Sequence, residues 1–373
     1  MLVKKHVVVS AVNLIEGGTL TVLQESLEVA AQYLPADWKI TALVHRKELV
    51  TNPRIETLEF PQSKRSWFTR LWLEWVLFNS LSKSLKPDLW LSLHDITPRV
   101  QARRQAVYCH NPSPFHKLTL REAWLEPKFA LFNLLYARLY GAFISRNHTV
   151  VVQQAWLRQA FKRLYAHPNV VVAYPTHPDE GCHPPAQTQA VIQFSKSRPL
   201  VMLYPALPRV FKNIEVLCEA MMLLPPAASG AVELQLTLSG TENSYARGLY
   251  RRFSSVYGVR FIGRQTRQQM AEAYRACDVV VFPSRLETWG LPITEAKALN
   301  KPLLVADLPY AHETVGNCSA VSFLPATDAQ AWAAVFEQMA CSQHSFGSQS
   351  STAPEAPFAA DWPQLWRLLT QDL

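Results

Sequence analysis

The stretch SRLETWGLPITEAKALN, residues 284–300, lies between two apolar runs, DVVVFP at 278–283 and PLLVAD at 302–307. The first run is typical of a buried parallel strand, and GLPITEAKAL, which follows it after a short loop, predicts a helix. The free backbone N–H groups at the start of such a helix bind phosphate or sugar oxygens, at roughly 0.3–1 kcal/mol per anionic contact. This stretch therefore predicts a ligand-binding strand-to-helix connection.

Two glutamates flank the start of this helix. Glu287 lies in the loop before the helix, and Glu295 lies about one turn inside it. One carboxylate can reach the reacting end of a ligand while the other reaches a more distant pair of hydroxyls, as sugars and riboses offer. On residue type alone, a helix cap for Glu287 and an ordinary exposed position for Glu295 remain open.

The same alternation of strand and helix patterns extends along the whole chain. Short β-branched runs occur at 6–12, 39–45, 88–94, 106–110, 149–153, 199–205, 232–240, 259–263, 278–283, 302–307 and 320–324. Helical patterns separate them, and this order predicts an α/β fold with parallel sheets. We expect two doubly wound, Rossmann-like domains with a ligand cleft beyond the carboxyl ends of the strands.

Breaks in the periodicity give the expected domain limits. The predicted segments are a first domain at 1–175, a linker at 176–196, a second domain at 197–340, a flexible Ser/Pro-rich segment at 341–357 and a helix at 358–373. The stretch YPTHPDEGCHPPAQTQ, residues 174–189, contains four prolines and few apolar residues, as an interdomain linker does. The final segment has tryptophans at helical spacing, so we expect it to pack back across the domains.

Composition limits the class of protein and its partners. The chain has 373 residues, 49% of them hydrophobic, and a net charge of +8, which favours anionic partners. Its six cysteines are scattered, and neither a signal peptide nor a membrane-spanning run is recognisable, so we expect a cytoplasmic protein. No nucleic-acid recognition motif is present, and we predict no nucleic-acid partner.

The segment VFPSRLETWGLPITEAKALNKPLLVAD, residues 281–307, resembles the signature of the retaining glycosyltransferases of family 4, which have the GT-B fold. The resemblance includes a pair of glutamates separated by seven residues. Upstream, residues 261–284 and LTLSGTENS at 236–244 resemble the segments that precede this signature in the family. This resemblance implies that the second domain binds a nucleotide sugar and that the first domain binds the acceptor.

The resemblance also implies roles for individual residues of the signature. Glu295 would bind the nucleotide ribose, while Glu287 and the backbone of Trp289, Gly290 and Leu291 would hold the donor sugar and the phosphates. A nucleotide-diphosphate sugar would be the co-substrate, with no separate cofactor and no metal.

Further donor-binding residues are expected on the preceding loops. Arg209 and Lys212 follow the first strand of the second domain, where two cations can neutralise a departing diphosphate. Solvated charges at a helix start are the alternative. The family usually separates these cations by four or five residues, whereas only two intervene here. Gly240, in the glycine turn of 236–244, completes the expected donor-binding set.

In the first domain, two features fall on strand-to-helix loops. Gly17 and Gly18 allow a close approach of the backbone to an anion or to the acceptor. His110 follows a strand and matches the histidine that in this family contacts the donor sugar or supports charge at the reacting carbon. An isolated histidine would more often have a structural role.

Two further stretches suggest partners. SKRSWFTRLWLEWVLFNSL, at 63–81, combines cations with tryptophans, as in a helix lying on an anionic membrane, although a buried helix with a basic start has the same pattern. His177, Cys182 and His183 lack a partner cluster, so we predict no zinc site there.

These observations predict a metal-independent, retaining glycosyltransferase (EC 2.4). We expect it to move a sugar to a glycan or lipid-linked acceptor in bacterial O-antigen, capsule or lipopolysaccharide synthesis, in the cytoplasm and as a possible peripheral protein of the inner membrane face. A GT-B-type nucleotide-sugar epimerase and a non-catalytic glycan-binding subunit remain as alternatives. The donor base, the sugars and the linkage stay open.

Overall fold

The chain folds into two units in the computed structural model, which describes residues 5–175 and 198–373. The first unit comprises Met1–Phe115, Phe132–His177 and Pro354–Leu373, and the second comprises His116–Leu131 and Pro178–Ala353. The predicted linker 176–196, with its rejected zinc ligands, lies outside the described residues. Within the described ranges, no helix is both long and apolar enough to cross a membrane.

The first unit is built on a sheet of eight strands. The strands are β1 (His6–Ala11), β2 (Lys39–Val44), β3 (Ile55–Glu59), β4 (Leu89–Ser92), β5 (Arg104–Cys109), β6 (Thr149–Val152), β7 (Val170–Ala173) and β15 (Phe358–Ala359). Their order is β15-β7-β6-β5-β4-β1-β2-β3, and every neighbouring pair is parallel. The central strands are fully buried because helices cover both faces of a parallel sheet.

The helices of this unit connect the parallel strands. They are α1 (Gly17–Tyr33), α2 (Trp67–Trp72), α3 (Phe78–Leu85), α5 (Pro127–Gly141), α6 (Ala155–Tyr165) and α14 (Trp362–Thr370). A π-helical turn, Leu73–Leu77, joins α2 to α3. Helix α5 begins in a segment grouped with the second unit, as does the short α4 (Leu120–Leu125).

The second unit contains a sheet of seven strands. These are β8 (Leu200–Tyr204), β9 (Val232–Leu236), β10 (Val259–Phe261), β11 (Val279–Phe282), β12 (Leu303–Ala306), β13 (Cys318–Leu324) and β14 (Gly347–Gln349). The order is β10-β9-β8-β11-β12-β13-β14, parallel except for the antiparallel pair β13 and β14. The predicted α/β class with parallel sheets is confirmed.

Seven helices cover this second sheet. They are α7 (Ile214–Met222), α8 (Pro226–Ser229), α9 (Ser244–Phe253), α10 (Arg267–Ala276), α11 (Leu291–Ala298), α12 (Pro309–Val315) and α13 (Ala329–Ala340). Helix α11 is the one predicted from the opening stretch.

The structure differs from the predicted domain limits in two segments. Residues 116–131, expected in the first domain, are grouped with the second unit. Part of 341–357, predicted to be flexible, forms β14, and the adjoining Phe346 is fully buried. Ser/Pro-rich composition did not reveal this strand, because its pairing with β13 is a tertiary contact.

The C-terminal helix α14 belongs to the first unit. Trp366 is fully buried, and its Nε1 donates a hydrogen bond to the backbone oxygen of Ser26 in α1 at 3.0 Å. Trp362 stacks near Tyr108 of β5, with ring centroids 5.6 Å apart. The predicted helix therefore completes the core of the first unit.

Replacing Trp366 by Ala should destabilise the first unit by about 3–5 kcal/mol, since it removes a fully buried indole and leaves a cavity. Urea unfolding gives the change in free energy. Trp124→Ala is the matched control, because Trp124 is 82% exposed and should lose little. Equal losses in the two variants would contradict the placement of α14.

Candidate functional site

Three loops of the second unit meet at one edge of its sheet. They follow β9, β8 and β11, which are neighbouring parallel strands, so their carboxyl ends lie together. The predicted donor-binding residues of this unit lie on these loops or on α11, which follows the third loop.

Lys212 and Glu287 form an ion pair between two of these loops. The Nζ of Lys212 lies against Oε1 of Glu287, and the two side chains are only 16% and 13% exposed. Lys212 Nζ also lies 5.5 Å from the ring centroid of Phe282, and Tyr204 donates a hydrogen bond to the Lys212 carbonyl at 2.6 Å. The structure thus brings together two residues that the sequence predicted separately.

The start of α11 requires the residues that the signature supplies. Gly290 has φ +91°, in the region that favours glycine, whereas an added Cβ would make only ordinary contacts, 3.4 Å from Ile293 and 3.5 Å from Phe282, so the backbone and not the packing calls for glycine. The indole of Trp289 is buried and donates to Thr294 Oγ1 at 3.0 Å, while Leu291 is the first residue of α11. The backbone at this turn is therefore fixed.

Glu295 lies on the exposed side of α11. The hydroxyl of Tyr274, in α10, donates a hydrogen bond to its Oε2 at 2.6 Å. Burial of Tyr274 and the neighbouring Glu295 carboxylate both raise the pKa of the Tyr274 hydroxyl, which therefore remains a donor at neutral pH. This bond orients the carboxylate that we predict to bind a ribose.

Arg209 does not join the Lys212–Glu287 pair. Its Nε lies 3.0 Å from Oε1 of Glu126, at the end of α4, and its guanidinium lies 5.1 Å from the ring centroid of Phe129. The two predicted diphosphate-binding cations thus have different carboxylate partners. Glu126 is far from the signature in the chain, and the sequence offered no signal for it.

Gly240 lies in the turn after β9 and also needs to be glycine. Its φ is +88°, and an added Cβ would come within 2.5 Å of Tyr250. Its N–H donates to Glu242 Oε2 at 2.9 Å, and the N–H of Ser239 donates to Glu242 Oε1 at 2.6 Å. Burial raises the pKa of Glu242, but these bonds outweigh burial and lower it overall. An internal carboxylate therefore occupies the donors of this turn.

In the first unit, Gly17 and Gly18 begin α1, after a five-residue loop that follows β1. Both are exposed, and Gly17 has φ +64°. A Cβ on Gly17 would meet no atom within 4 Å, so the backbone conformation and not the packing favours glycine. The exposed backbone is compatible with the predicted approach of a ligand.

His110 follows β5 and has a defined hydrogen-bonding state. Its N–H donates to Asp95 Oδ1 at 2.6 Å, and its Nε2 lies 2.7 Å from the carbonyl oxygen of Leu93. Burial lowers the pKa of the imidazole, although the Asp95 charge and the Leu93 carbonyl oppose the shift. The neutral ring donates through Nε2, which leaves Nδ1 as the nitrogen able to accept a hydrogen bond.

Asp95 organises the loop that holds His110, and the sequence reasoning missed it. Besides His110, the hydroxyls of Tyr136 and Tyr140 donate to its carboxylate at 2.9 and 2.8 Å. Asp95 has φ +71°, in the left-handed region. Its place just after β4, in LSLHD, was the available signal, because a polar residue there lies at the carboxyl edge of the sheet.

The basic, aromatic stretch 63–81 has one buried and one exposed side. Leu73 and Phe78 are fully buried, and Arg70 is buried with its guanidinium donating to the His94 carbonyl at 2.7 Å. Phe68 and Trp72 are 86% and 50% exposed. The stretch therefore has a buried side, as expected of a helix packed in the core, and an exposed aromatic side, as expected of a helix on a membrane surface.

Residues 186–346 match the family described as "Glycosyl transferases group 1". This matched segment, which is less than half of the chain, is similar to that family. The family is the predicted one at this level, while the finer assignment to family 4 stays a prediction. Among residues 5–175 and 198–373, no cluster of three or more His, Cys, Asp or Glu could hold a metal ion.

Two curated relatives are similar to this chain over short segments. Both are D-inositol 3-phosphate glycosyltransferases. The protein from Mycobacteroides abscessus is 44% identical over 48 residues, which is 13% of this chain and 11% of the relative. The protein from Rhodococcus erythropolis is 27% identical over 104 residues, which is 28% and 24%. The chain thus aligns with less than a quarter of either relative.

Solved structures are similar over nearly the whole chain. Sucrose-phosphate synthase from Thermosynechococcus elongatus has a TM-score of 0.64 at 17% identity, covering 91% of this chain and 90% of that one. HepE of Anabaena, in complex with UDP-glucose, has 0.58 at 17%, covering 89% of each. WaaG, a glycosyltransferase of lipopolysaccharide biosynthesis, has 0.57 at 14%, covering 98% and 96%. These likenesses confirm the predicted GT-B fold.

Replacing Asp95 by Asn should lower the pKa of His110 further, because the charge that opposes the effect of burial is lost. Titration of the His110 ring by NMR, assigned with a His110→Gln variant, measures this shift. Asp307→Asn is the control, since Asp307 pairs with His312 at 2.7 Å in the second unit and its substitution should leave the titration of His110 unchanged. An unchanged or raised His110 pKa would show that Asp95 does not act on the ring.

Proposed function

We propose that the protein is a retaining glycosyltransferase that moves a sugar from a nucleotide-diphosphate sugar to a glycan or lipid-linked acceptor. The observation that most supports this proposal is the largely buried ion pair of Lys212 and Glu287, next to the start of α11. It combines a cation for a phosphate and a carboxylate for a sugar hydroxyl within the segment that is similar to the glycosyl transferases group 1 family.

In this proposal, each of the two glutamates binds a different part of the donor. Glu295, oriented by Tyr274, binds the ribose hydroxyls, while Glu287 and the backbone at Trp289, Gly290 and Leu291 hold the sugar and the phosphates. The neighbouring structure of HepE contains UDP-glucose, which supports a nucleotide-sugar donor. Gly240, Gly17 and Gly18 contribute backbone that a ligand can approach closely.

The proposed reaction is a front-face displacement. The bond between the anomeric carbon and the leaving diphosphate oxygen breaks, and the acceptor oxygen bonds to that carbon on the same face. The acceptor's proton passes to the leaving phosphate oxygen. Lys212, Arg209 and the N–H groups that begin α11 stabilise the diphosphate, so these cations take the role that a metal has in other transferases.

His110 completes the proposed set of catalytic residues. Its Nδ1 accepts a hydrogen bond from a donor-sugar hydroxyl, because Nε2 is committed to the Leu93 carbonyl. The resemblance to family 4 supports this role, and the neutral state of the ring is compatible with it.

We further propose that the acceptor belongs to bacterial surface polysaccharide synthesis, as O-antigen, capsule or lipopolysaccharide. Similarity to WaaG and to the lipopolysaccharide galactosyltransferase WaaB supports this class. The enzyme would act in the cytoplasm at the membrane face. The exposed Phe68, Trp72 and Val76, next to Lys64 and Arg65, would contact anionic lipid.

Substitutions of the two glutamates should separate nucleotide binding from turnover. Glu295→Ala should weaken binding of both the donor and the bare nucleoside diphosphate, since it loses a charge-assisted hydrogen bond worth about 1.5–3 kcal/mol. Glu287→Ala should depress turnover far more than diphosphate affinity, because its contact is made at the reacting end. Calorimetry with UDP, GDP and ADP, and rates with the matching nucleotide sugars in EDTA, measure both.

The control for this pair is Glu272→Ala, an exposed glutamate of α10 in the same unit. Rates and affinities within about twofold of the parent for both site variants would contradict the assigned roles. Loss of parent activity in EDTA, restored by manganese, would contradict the mechanism without metal, and a free epimerised nucleotide sugar as product would favour the epimerase.

Binding to anionic liposomes should depend on the exposed aromatic residues of 63–81. The double variant Phe68→Ser/Trp72→Ser should bind phosphatidylglycerol vesicles several-fold more weakly than the parent, and high salt should weaken the parent's binding. Flotation assays measure both effects. Leu207→Ser, at an exposed position of the second unit, is the control. Equal binding of the parent to neutral vesicles would remove the membrane proposal.

A further inference from the structure

The segment 116–131 contributes two glutamates to the loops of the second unit. Glu126 accepts a hydrogen bond from the backbone N–H of Val210 at 2.9 Å through Oε2, and its Oε1 lies 3.0 Å from Arg209 Nε. Glu122 forms an ion pair with Arg285, in the loop after β11. Both glutamate side chains are nearly buried, with exposures of 12% and 6%.

The two glutamates differ in their other contacts. Glu122 belongs to a capping box, because its Oε2 accepts the backbone N–H of Thr119 at 2.8 Å and Thr119 Oγ1 accepts the Glu122 N–H. Its place is therefore fixed by the start of α4. Glu126 follows the last residue of α4, and the contacts described for its carboxylate are with Arg209 and Val210. Its carboxylate is the one that another anion can replace.

The arginines have capacity for further acceptors. The Nε atoms of Arg209 and Arg285 are buried, and within the described part of the chain neither makes a hydrogen bond. A guanidinium has five N–H donors, and a buried donor without an acceptor is costly. A carboxylate has only two oxygens, whereas a diphosphate presents more oxygens and more charge. At the position of Glu126, the Nε of Arg209 lies 3.0 Å from Oε1 without making a hydrogen bond to it, so this guanidinium retains a donor for an anion richer in oxygens.

We propose that Glu126 is an internal competitor for the phosphate-binding position. Its carboxylate contacts the Arg209 guanidinium and accepts a hydrogen bond from the Val210 N–H. A bound phosphate would replace the carboxylate in both contacts. The inference rests on the proposed function, because it assigns Arg209 to the donor diphosphate. It also gives the segment 116–131 a role, since phosphate binding releases one of the contacts that hold it to the second unit.

Competition and a purely structural role predict opposite changes in phosphate affinity when the charge of Glu126 is removed. If Glu126 merely positioned Arg209, removing its charge would weaken phosphate binding. If it competes, removing its charge strengthens binding, because the phosphate no longer has to displace an anion. Glu126→Gln keeps an oxygen for the Val210 N–H, so the local fold is retained while the charge is lost.

Calorimetry with inorganic pyrophosphate tests this inference. Glu126→Gln should bind pyrophosphate about tenfold more tightly than the parent, while Glu126→Asp, which keeps the charge, should gain less. In an Arg209→Ala background the Glu126→Gln substitution should give no gain. Glu219→Gln, which breaks a surface pair with Arg252 at 2.8 Å, is the control and should leave the affinity unchanged.

Unchanged or weaker binding in Glu126→Gln would overturn the proposal, as would a gain that persists without Arg209 or an absence of binding in every variant. Thermal unfolding midpoints show whether each variant is folded. Pyrophosphate has neither base nor sugar, so the result does not depend on turnover. Failure of the proposed function would instead appear as an absence of sugar transfer while the pyrophosphate gain is present.

Discussion

The ion pair of Lys212 and Glu287 links two loops that are distant in sequence and adjacent in space. They follow β8 and β11, which are adjacent in the sheet although β9 and β10 lie between them in the sequence. Asn213, with φ +58°, continues this link, since its Nδ2 donates to the carbonyls of Pro283 at 3.1 Å and Ala326 at 2.7 Å. Removing either charge would leave the other partly buried and unpaired. The site therefore depends on both.

Internal carboxylates lie against the cations of this edge and accept hydrogen bonds from several of its backbone N–H groups. Glu287 holds Lys212, Glu126 holds Arg209, and Glu242 holds the N–H groups of the turn at Gly240. A protein with a net charge of +8 thus presents a locally neutralised site when no ligand is bound. A nucleotide diphosphate brings its own charge, so exchange of anions, more than simple neutralisation, would govern its affinity.

The sequence predicted the elements whose signals are local. Most of the buried strands were predicted as continuous β-branched runs, and Gly290 marked the start of α11, because parallel sheets and helix starts depend on neighbouring residues. Strand β7, VVVA, was missed although it has the same local signal. The sequence did not predict the edge strand β3, IETLE, because its polar positions interrupt the apolar run. The roles of Glu126 and Asp95 were not predicted, because the tertiary fold brings their partners to them. The short spacing of Arg209 and Lys212 departed from the family's pattern, and in the structure the two cations pair with different carboxylates, Glu126 and Glu287.

The central claim is that the second unit binds a nucleotide sugar through α11 and the loops beside it. A thermal-shift screen of the parent and of Glu295→Ala against a panel of nucleotide sugars tests this most directly. The account predicts that at least one member raises the parent's unfolding midpoint and that the shift is largely lost in the variant. A panel that leaves the parent unchanged, or that shifts parent and variant equally, would contradict it.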